Sequence, residues 1–414
     1  MERRHFLIAS ALTAGAHAFK TEQKQHPAIA ALKSRKAEEP PPISDAERAE
    51  RRAKAQRLMT SAAVSALLVE PGPSLTYFTN IQWGRSERLF AMLLPQRGEA
   101  VFICPAFEKE RAENQIGDKF RIRAWQEDES PYALIASTMR DWGFATGTLA
   151  VESSARYFAP FALANLKPAM KVVSGDPITQ NCRGVKTAHE IEIMRFANQV
   201  TIEAYRATLQ TLQAGMTQNE LGRNLSQAFQ KLGYNGGGLV LFGESSAYPH
   251  GLPTPRALED GNIVLLDSGT SVHGYQSDIS RTVVFGTPTA EQQKVYDIVR
   301  QAQTRALRAA RPGVKAGSVD AAARDYITAQ GFGPGYKFFT HRLGHGIGLE
   351  GHEWPYLVRG NDLLLKPGMS FSDEPGIYQY GKFGMRLEDI IVITENGAEM
   401  LTPQSKSLAP GDIT

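Results

Sequence analysis

The sequence predicts an α+β carboxy-terminal domain preceded by a smaller α/β domain, and three observations carry this. Through residues 64–152, strand-like apolar runs (VSALLVE, AMLLP, AVFICP, TLAVE) are separated by polar and helical stretches, the pattern of a compact α/β unit. From His189 onward, longer helical periods alternate with pairs of apolar runs that read as hairpins. Residues 261–269 align without gaps on 368–376, and residues 214–217 mirror 312–315, as expected of two helix-helix-strand-strand halves facing each other across a pseudo-two-fold axis. A chain of 414 residues with 42% hydrophobic content can fill two cores.

Taken in order, residues 1–18 carry adjacent Arg3 and Arg4, an apolar stretch from Phe6 and the small-residue site Ala16-His17-Ala18. This reads as a twin-arginine export signal and predicts a periplasmic or extracellular location, with the cytoplasm as the alternative. The stretch is too short, and too broken by Ser, Thr and Gly, for a membrane span. Residues 19–43, rich in Lys, Glu, Ala and Pro with Pro40-Pro41-Pro42, read as a linker. Ser44 and Glu47 form an N-terminal capping pattern that opens a helix and the first domain, 44–180. Cys104 and Cys182 are too isolated for a disulfide framework and are expected as buried free thiols.

The second domain is expected over 181–406. Ile191, Met194, Ala197, Ile202 and Tyr205 set a helical period over 189–213, Thr217 with Glu220 caps the next helix, and Thr289 with Gln292 caps one reaching about Arg311. These helices should cover the outer face of a curved antiparallel sheet and leave its concave face for chemistry. Net charge is +3, and the basic excess is confined to residues 1–57, with 12 Lys/Arg against 7 Asp/Glu. With no basic stripe on the folded part, nucleic acid is excluded as a partner.

Asp267, Asp278, His345, Glu374 and Glu388 follow one another in the last third, each beside an apolar strand-like run. A single Asp or Glu at such a place is usually a solvated group or a turn cap. Four carboxylates and one imidazole together suit a pair of hard or borderline divalent cations, because carboxylates bridge and a neutral His completes one site.

This ordered set, with THRLGHGIGLEGHEWP, SDEPGIY and MRLED, resembles the prolidase, aminopeptidase P and methionine aminopeptidase superfamily with its pita-bread fold. The ligand intervals of 11, 67, 29 and 14 residues are most similar to those of Xaa-Pro dipeptidases. The resemblance covers residues 183–400, and more loosely 44–175, which look like the creatinase-like amino-terminal domain. It implies two metal ions, with manganese as the leading choice and cobalt, iron or zinc allowed. Asp267 would chelate one, His345 and Glu374 the other, and Asp278 and Glu388 would bridge them. Glu374 would shuttle a proton to the leaving amine, His352 would hydrogen-bond the substrate carbonyl, and His250 would stand on the substrate side. Arg386 would orient a ligating carboxylate or reach substrate, and His341 would stand on the substrate side, support the site or pack in a turn.

The implied substrate is a peptide with proline second, and the implied assembly a homodimer. A Xaa-Pro dipeptidase leads, with an aminopeptidase acting on longer peptides and a non-catalytic peptide binder as alternatives. One departure bears on this choice. After HEWP, prolidases commonly carry an arginine suited to the substrate carboxylate, and this chain has Tyr356, which offers one donor and no charge. Arg85 or Arg88, from the same chain or across a dimer, is the candidate substitute, the alternative being that both are plain surface residues.

Overall fold

A computed structural model describes residues 25–166 and 170–414. The export signal expected over 1–18 lies outside the described residues.

The amino-terminal domain is built on β1 (Ala66–Val69), β2 (Ala91–Pro95), β3 (Val101–Pro105), β4 (Arg121–Trp125), β5 (Thr148–Val151) and β6 (Lys171–Ser174). They form one mixed sheet in the order β4-β3-β2-β1-β5-β6, with β1, β2 and β3 antiparallel and the outer pairs parallel. The four runs read as strands from sequence are strands, and β1, β2 and β3 are wholly buried because helices cover both faces. Cys104 and Cys182 are both free and buried.

A short helix, α1 (Pro27–Ala30), comes first, then the longer α2 (Asp45–Ser61), opened by the expected capping box of Ser44 and Glu47. The segment expected as a linker is, from Gln25 on, packed structure. Ile29 and Ile43 are buried in the catalytic-domain core, and the Arg35 guanidinium donates to Glu203. His273 and His189 hydrogen-bond the carbonyls of Pro40 and Pro41. The proline run therefore lies along the second domain as a strap, because two apolar anchors and these polar ties outweigh its polar composition.

Helices α3 (Pro73–Thr79), α4 (Lys109–Ile116), α5 (Pro131–Asp141), α6 (Phe158–Ala164) and α7 (Asp176–Arg183) complete the first domain. The boundary expected at 180/181 falls inside α7, whose Ile178 and Cys182 belong to the first domain's core.

The catalytic domain opens with α8 (Ala188–Leu209) and α9 (Gln218–Leu232), followed by β7 (Gly236–Phe242), β8 (Ile263–Val272), β9 (Tyr275–Gln276) and β10 (Ile279–Val284). The second half repeats the plan: α10 (Ala290–Ala309) and α11 (Ala316–Ala329) precede β11 (Gly344–Gly346), β12 (Glu353–Leu357), β13 (Ser370–Asp373), β14 (Gly376–Gln379), β15 (Phe383–Arg386), β16 (Asp389–Ile393) and β17 (Ala398–Met400). Capping boxes at Thr217/Glu220 and Thr289/Gln292 start α9 and α10 as the sequence implied.

The internal repeat is visible in backbone detail. Isolated bridges join Thr217 to Ala257 and Lys315 to Leu364, equivalent positions of the two halves. Gly215 and Gly313, at φ of 80° and 79°, donate to the carbonyls of Leu258 and Leu365. A side chain at either would be strained, which is why both halves kept glycine. The chain does not end its fold at 406: Leu408 and Ile413 are buried, and the Ile413 carbonyl accepts from the buried Arg281 guanidinium.

Candidate metal centre

The two halves bring a carboxylate hairpin each to one place. Asp278 immediately precedes β10, Glu374 immediately follows β13 and Glu388 immediately precedes β16, so strand ends hold three of the candidate ligands. Asp267 departs from expectation: β8 continues to Val272, placing it inside the strand, opposite Ser280 of β10 and Leu239 of β7. The strand persists because its residues beyond Asp267 alternate between buried and more exposed positions.

Ligand atoms of Asp267, Asp278 and Glu388 lie within 4.8 Å of one another, as do those of His345, Glu374 and Glu388 and those of Asp278, His345 and His352. Glu388 belongs to two of these groups, and so do Asp278 and His345. His345 is buried on β11, and its Nε2 lies 3.4 Å from Glu374, 3.8 Å from Asp278 and 3.9 Å from Glu388. Its Nδ1 donates to the Gly346 carbonyl, and burial, with the nearby His352, holds its pKa down at about 3. The ring is therefore neutral, and Nε2 turns a lone pair toward carboxyl oxygens that, once ionised, can only accept. An acceptor facing acceptors is unfavourable unless a cation lies among them, and hard oxygen donors with one imidazole suit a divalent ion.

Electrostatics agrees. Burial first, and the neighbouring carboxylates next, raise Asp278 and Glu374 well above the usual carboxylate range and push Glu388 up to about 8. Arg386 is the one guanidinium that bonds a ligand carboxylate among the described residues, donating to Asp267 at 2.6 Å. Four carboxylates against that one charge leave a deficit that divalent cations would fill.

Arg386 does not face substrate. Its other N–H groups reach Tyr378 Oη, Ser280 Oγ and the Pro249 carbonyl, and Ser280 in turn donates to Glu388 at 2.7 Å. It orients two ligands, one directly and one through Ser280. His341 is likewise turned inward: Nδ1 donates to the Arg342 carbonyl, and burial holds its pKa at about 3, so Nε2 accepts from Tyr378 at 2.8 Å. Arg386, which is buried, and His341, which is half-buried, are thus corrected from substrate-side residues to supports. Tyr378, which links them, was missed; a tyrosine in GIYQY gives no pattern that marks it.

The remaining residues face outward. His352 stacks on His345 with ring centroids 3.7 Å apart; burial lowers its pKa and the Arg342 charge adds to this. His250 is exposed, and its charge also bears on His352. Tyr356, on β12, lines a cavity of about 410 Å³ between the domains, together with His352 and Arg85. Arg88 is no substitute cation for that site: it is paired with Glu87 and Glu127.

Fold and centre together define a hydrolase of the pita-bread class. The chain matches the model of Metallopeptidase family M24 over residues 192–395 and that of the Creatinase/Prolidase N-terminal domain over 51–185. It is 36% identical over 357 residues to a probable dipeptidase PepE of Mycobacterium tuberculosis, covering 83% of this chain and 93% of that one. It is 35% identical over 350 residues to a Xaa-Pro dipeptidase of Lactobacillus helveticus, covering 81% and 92%. The crystal structure of dipeptidase PepE from Mycobacterium ulcerans superposes with a TM-score of 0.83 at 33% identity, over 89% of this chain and 99% of that one. This chain belongs to metallopeptidase family M24.

Proposed function

We propose that the protein is a two-metal peptidase that hydrolyses the bond before proline, acting on Xaa-Pro dipeptides. The observation that carries this is the pair of ligand groups sharing Glu388: Asp267 and Asp278 on one side, His345 and Glu374 on the other. Asp278 also shares a group with His345, which supports it as the second bridging ligand. Manganese is the first choice, with cobalt, iron or zinc compatible with the donors. When bound, the pair supplies Lewis-acid polarisation of the scissile carbonyl and acidifies water at neutral pH.

The chain's own groups do the rest. Glu374, whose carboxyl is held high in pKa by burial, carries a proton to the leaving amine. His352, beside His345 and open to the cavity, hydrogen-bonds the carbonyl, and His250, which lines a separate groove with Leu239 and Leu241 but is near enough to bear on His352, stands on the substrate side. The relatives named as dipeptidases favour the dipeptide reading. One observation favours cleavage of longer peptides as a second reading: the cavity beside His352 and Tyr356 has room beyond a dipeptide. Export directed by Arg3-Arg4 and assembly as a homodimer complete the proposal, tested by a signal-fusion reporter and by light scattering.

The decisive experiment incubates chelated and manganese-loaded protein with Ala-Pro, Ala-Pro-Ala and Ala-Ala, read by mass spectrometry. Metal-dependent release of proline from Ala-Pro, with Ala-Ala left intact, is expected. Equal cleavage of Ala-Ala, or no cleavage of any proline peptide at full metal occupancy, ends the reading.

A further inference from the structure

The site departs from the sequence pattern it resembles at Tyr356. Tyr356 pairs directly with His345 across the β11–β12 ladder, and cross-strand partners project their side chains to the same face. The phenol therefore stands on the face that carries the ligand imidazole. Above it lies a cation: the Arg342 guanidinium carbon is 4.4 Å from the Tyr356 ring centroid. Arg342 is exposed and enters no side-chain ion pair or hydrogen bond among the described residues. Arg85, by contrast, belongs to the other domain and bonds the Pro71 carbonyl.

A cation stacked on an aromatic ring is restrained before any ligand arrives, so less freedom is lost when it binds. Its planar fork keeps in-plane N–H groups free to meet a carboxylate with two parallel hydrogen bonds. A tyrosine alone could offer one neutral donor. Tyr356 thus acts as the platform for a charge that comes from the neighbouring segment, three residues ahead of His345.

We propose that Arg342, held over Tyr356, receives the free carboxylate of a dipeptide, with the Tyr356 hydroxyl as an additional donor. This rests on the Xaa-Pro reading above and names the residue that sets its preference for a free carboxyl end.

The test compares Ala-Pro with its amide, Ala-Pro-NH2, in the metal-loaded wild type and in R342A, R342K, R85A and R342A/Y356R. Metal content is measured for each. The wild type should prefer the acid by roughly 10- to 100-fold in kcat/KM. R342A should lose that preference through a raised KM on the acid alone, with metal content and turnover number nearly unchanged. R342K should recover part of it, R342A/Y356R should restore it, and R85A should match the wild type. Calorimetry gives a readout without turnover: proline should bind more tightly than prolinamide to the wild type, and equally to R342A. An acid preference that survives in R342A, or disappears in R85A, overturns the assignment. If the wild type cuts neither peptide, the proposed reaction has failed, and Arg342-dependent binding of proline decides this inference by itself.

Discussion

Replacing Arg386 by alanine tests whether the centre depends on one buried guanidinium. The side chain is 3% exposed as a residue and donates to Asp267 at 2.6 Å, to Tyr378 at 2.9 Å and to Ser280 at 2.9 Å. A hydrogen bond to a charged partner contributes about 1.5–3 kcal/mol and each neutral one about 0.5–1.5 kcal/mol. Breaking a buried ion pair by removing one member costs about 3–5 kcal/mol. Asp267 keeps a quarter of its side chain exposed, which screens the pair and favours the lower end, about 3 kcal/mol. Loss of a group that orients a ligand also weakens metal binding by about 10- to 100-fold. The two effects are linked, so the stability gap between wild type and variant must widen by about 1.4–2.7 kcal/mol when metal is saturating. Urea unfolding with chelator and with excess manganese measures the first, and calorimetric metal titration the second. A gap that narrows in metal would refute the reasoning, showing that Arg386 only balances charge and does not hold Asp267 in place.

Three further outcomes are expected. Asp278→Ala or Glu388→Ala should lose both bound metal and peptidase activity, whereas His352→Ala should keep metal and lose roughly 10²-fold in turnover; metal analysis beside steady-state kinetics separates the two. Glu190→Ala should cost about 3–5 kcal/mol in urea unfolding, because Arg51 and Glu190 are 6% and 2% exposed at 3.0 Å and one charge would be left buried; an unchanged midpoint contradicts this. The Glu47–His189 contact should be pH-dependent with a definite sign. Burial opposes the charge on both, but the Ser44 N–H and His189 hold Glu47 down at about 2, and Glu47 raises His189. The Glu47 contribution is present above its ordinary value and is lost as pH falls toward 2; the His189 contribution is full below about 6.5 and is lost as pH rises past its raised value. The stability difference between wild type and His189→Gln should therefore peak between about pH 4.5 and 6.5, and a difference that grows toward alkaline pH would contradict the assignment.

The clustered carboxylates and imidazole, and the fold, were legible because both leave periodic or motif-level traces. The carboxylates lie in or beside apolar runs, and the capping boxes recur at fixed spacing. The halves preserve glycines where φ must be positive, at 215 and 313. What could not be read was pairing at a distance. Arg342 carries no signal until the ladder puts Tyr356 opposite His345 and beneath it. Arg386 and His341 looked equally able to face substrate, and only burial and Tyr378 turn them inward. The strap over 25–43 has a linker's composition, and its fate rests on Ile29, Ile43 and carbonyls that meet His189 and His273. Arg51 and Glu190 are remote in sequence, so nothing local announced their contact.

That contact is one of several buried polar ties across the domain boundary. Arg51 also reaches Tyr275 at 2.7 Å, and at the far side of α7 Arg183 is paired with Glu350 and Glu353, the latter also held by Lys186 at 2.6 Å. Parting the domains would leave these charges unpaired or carry them into water, so the ties resist that separation. The cavity beside His352 is lined from both sides of that boundary, by Arg85 and Glu152 on one and Tyr356 on the other. Its width is therefore set by the same buried charges that hold the domains together.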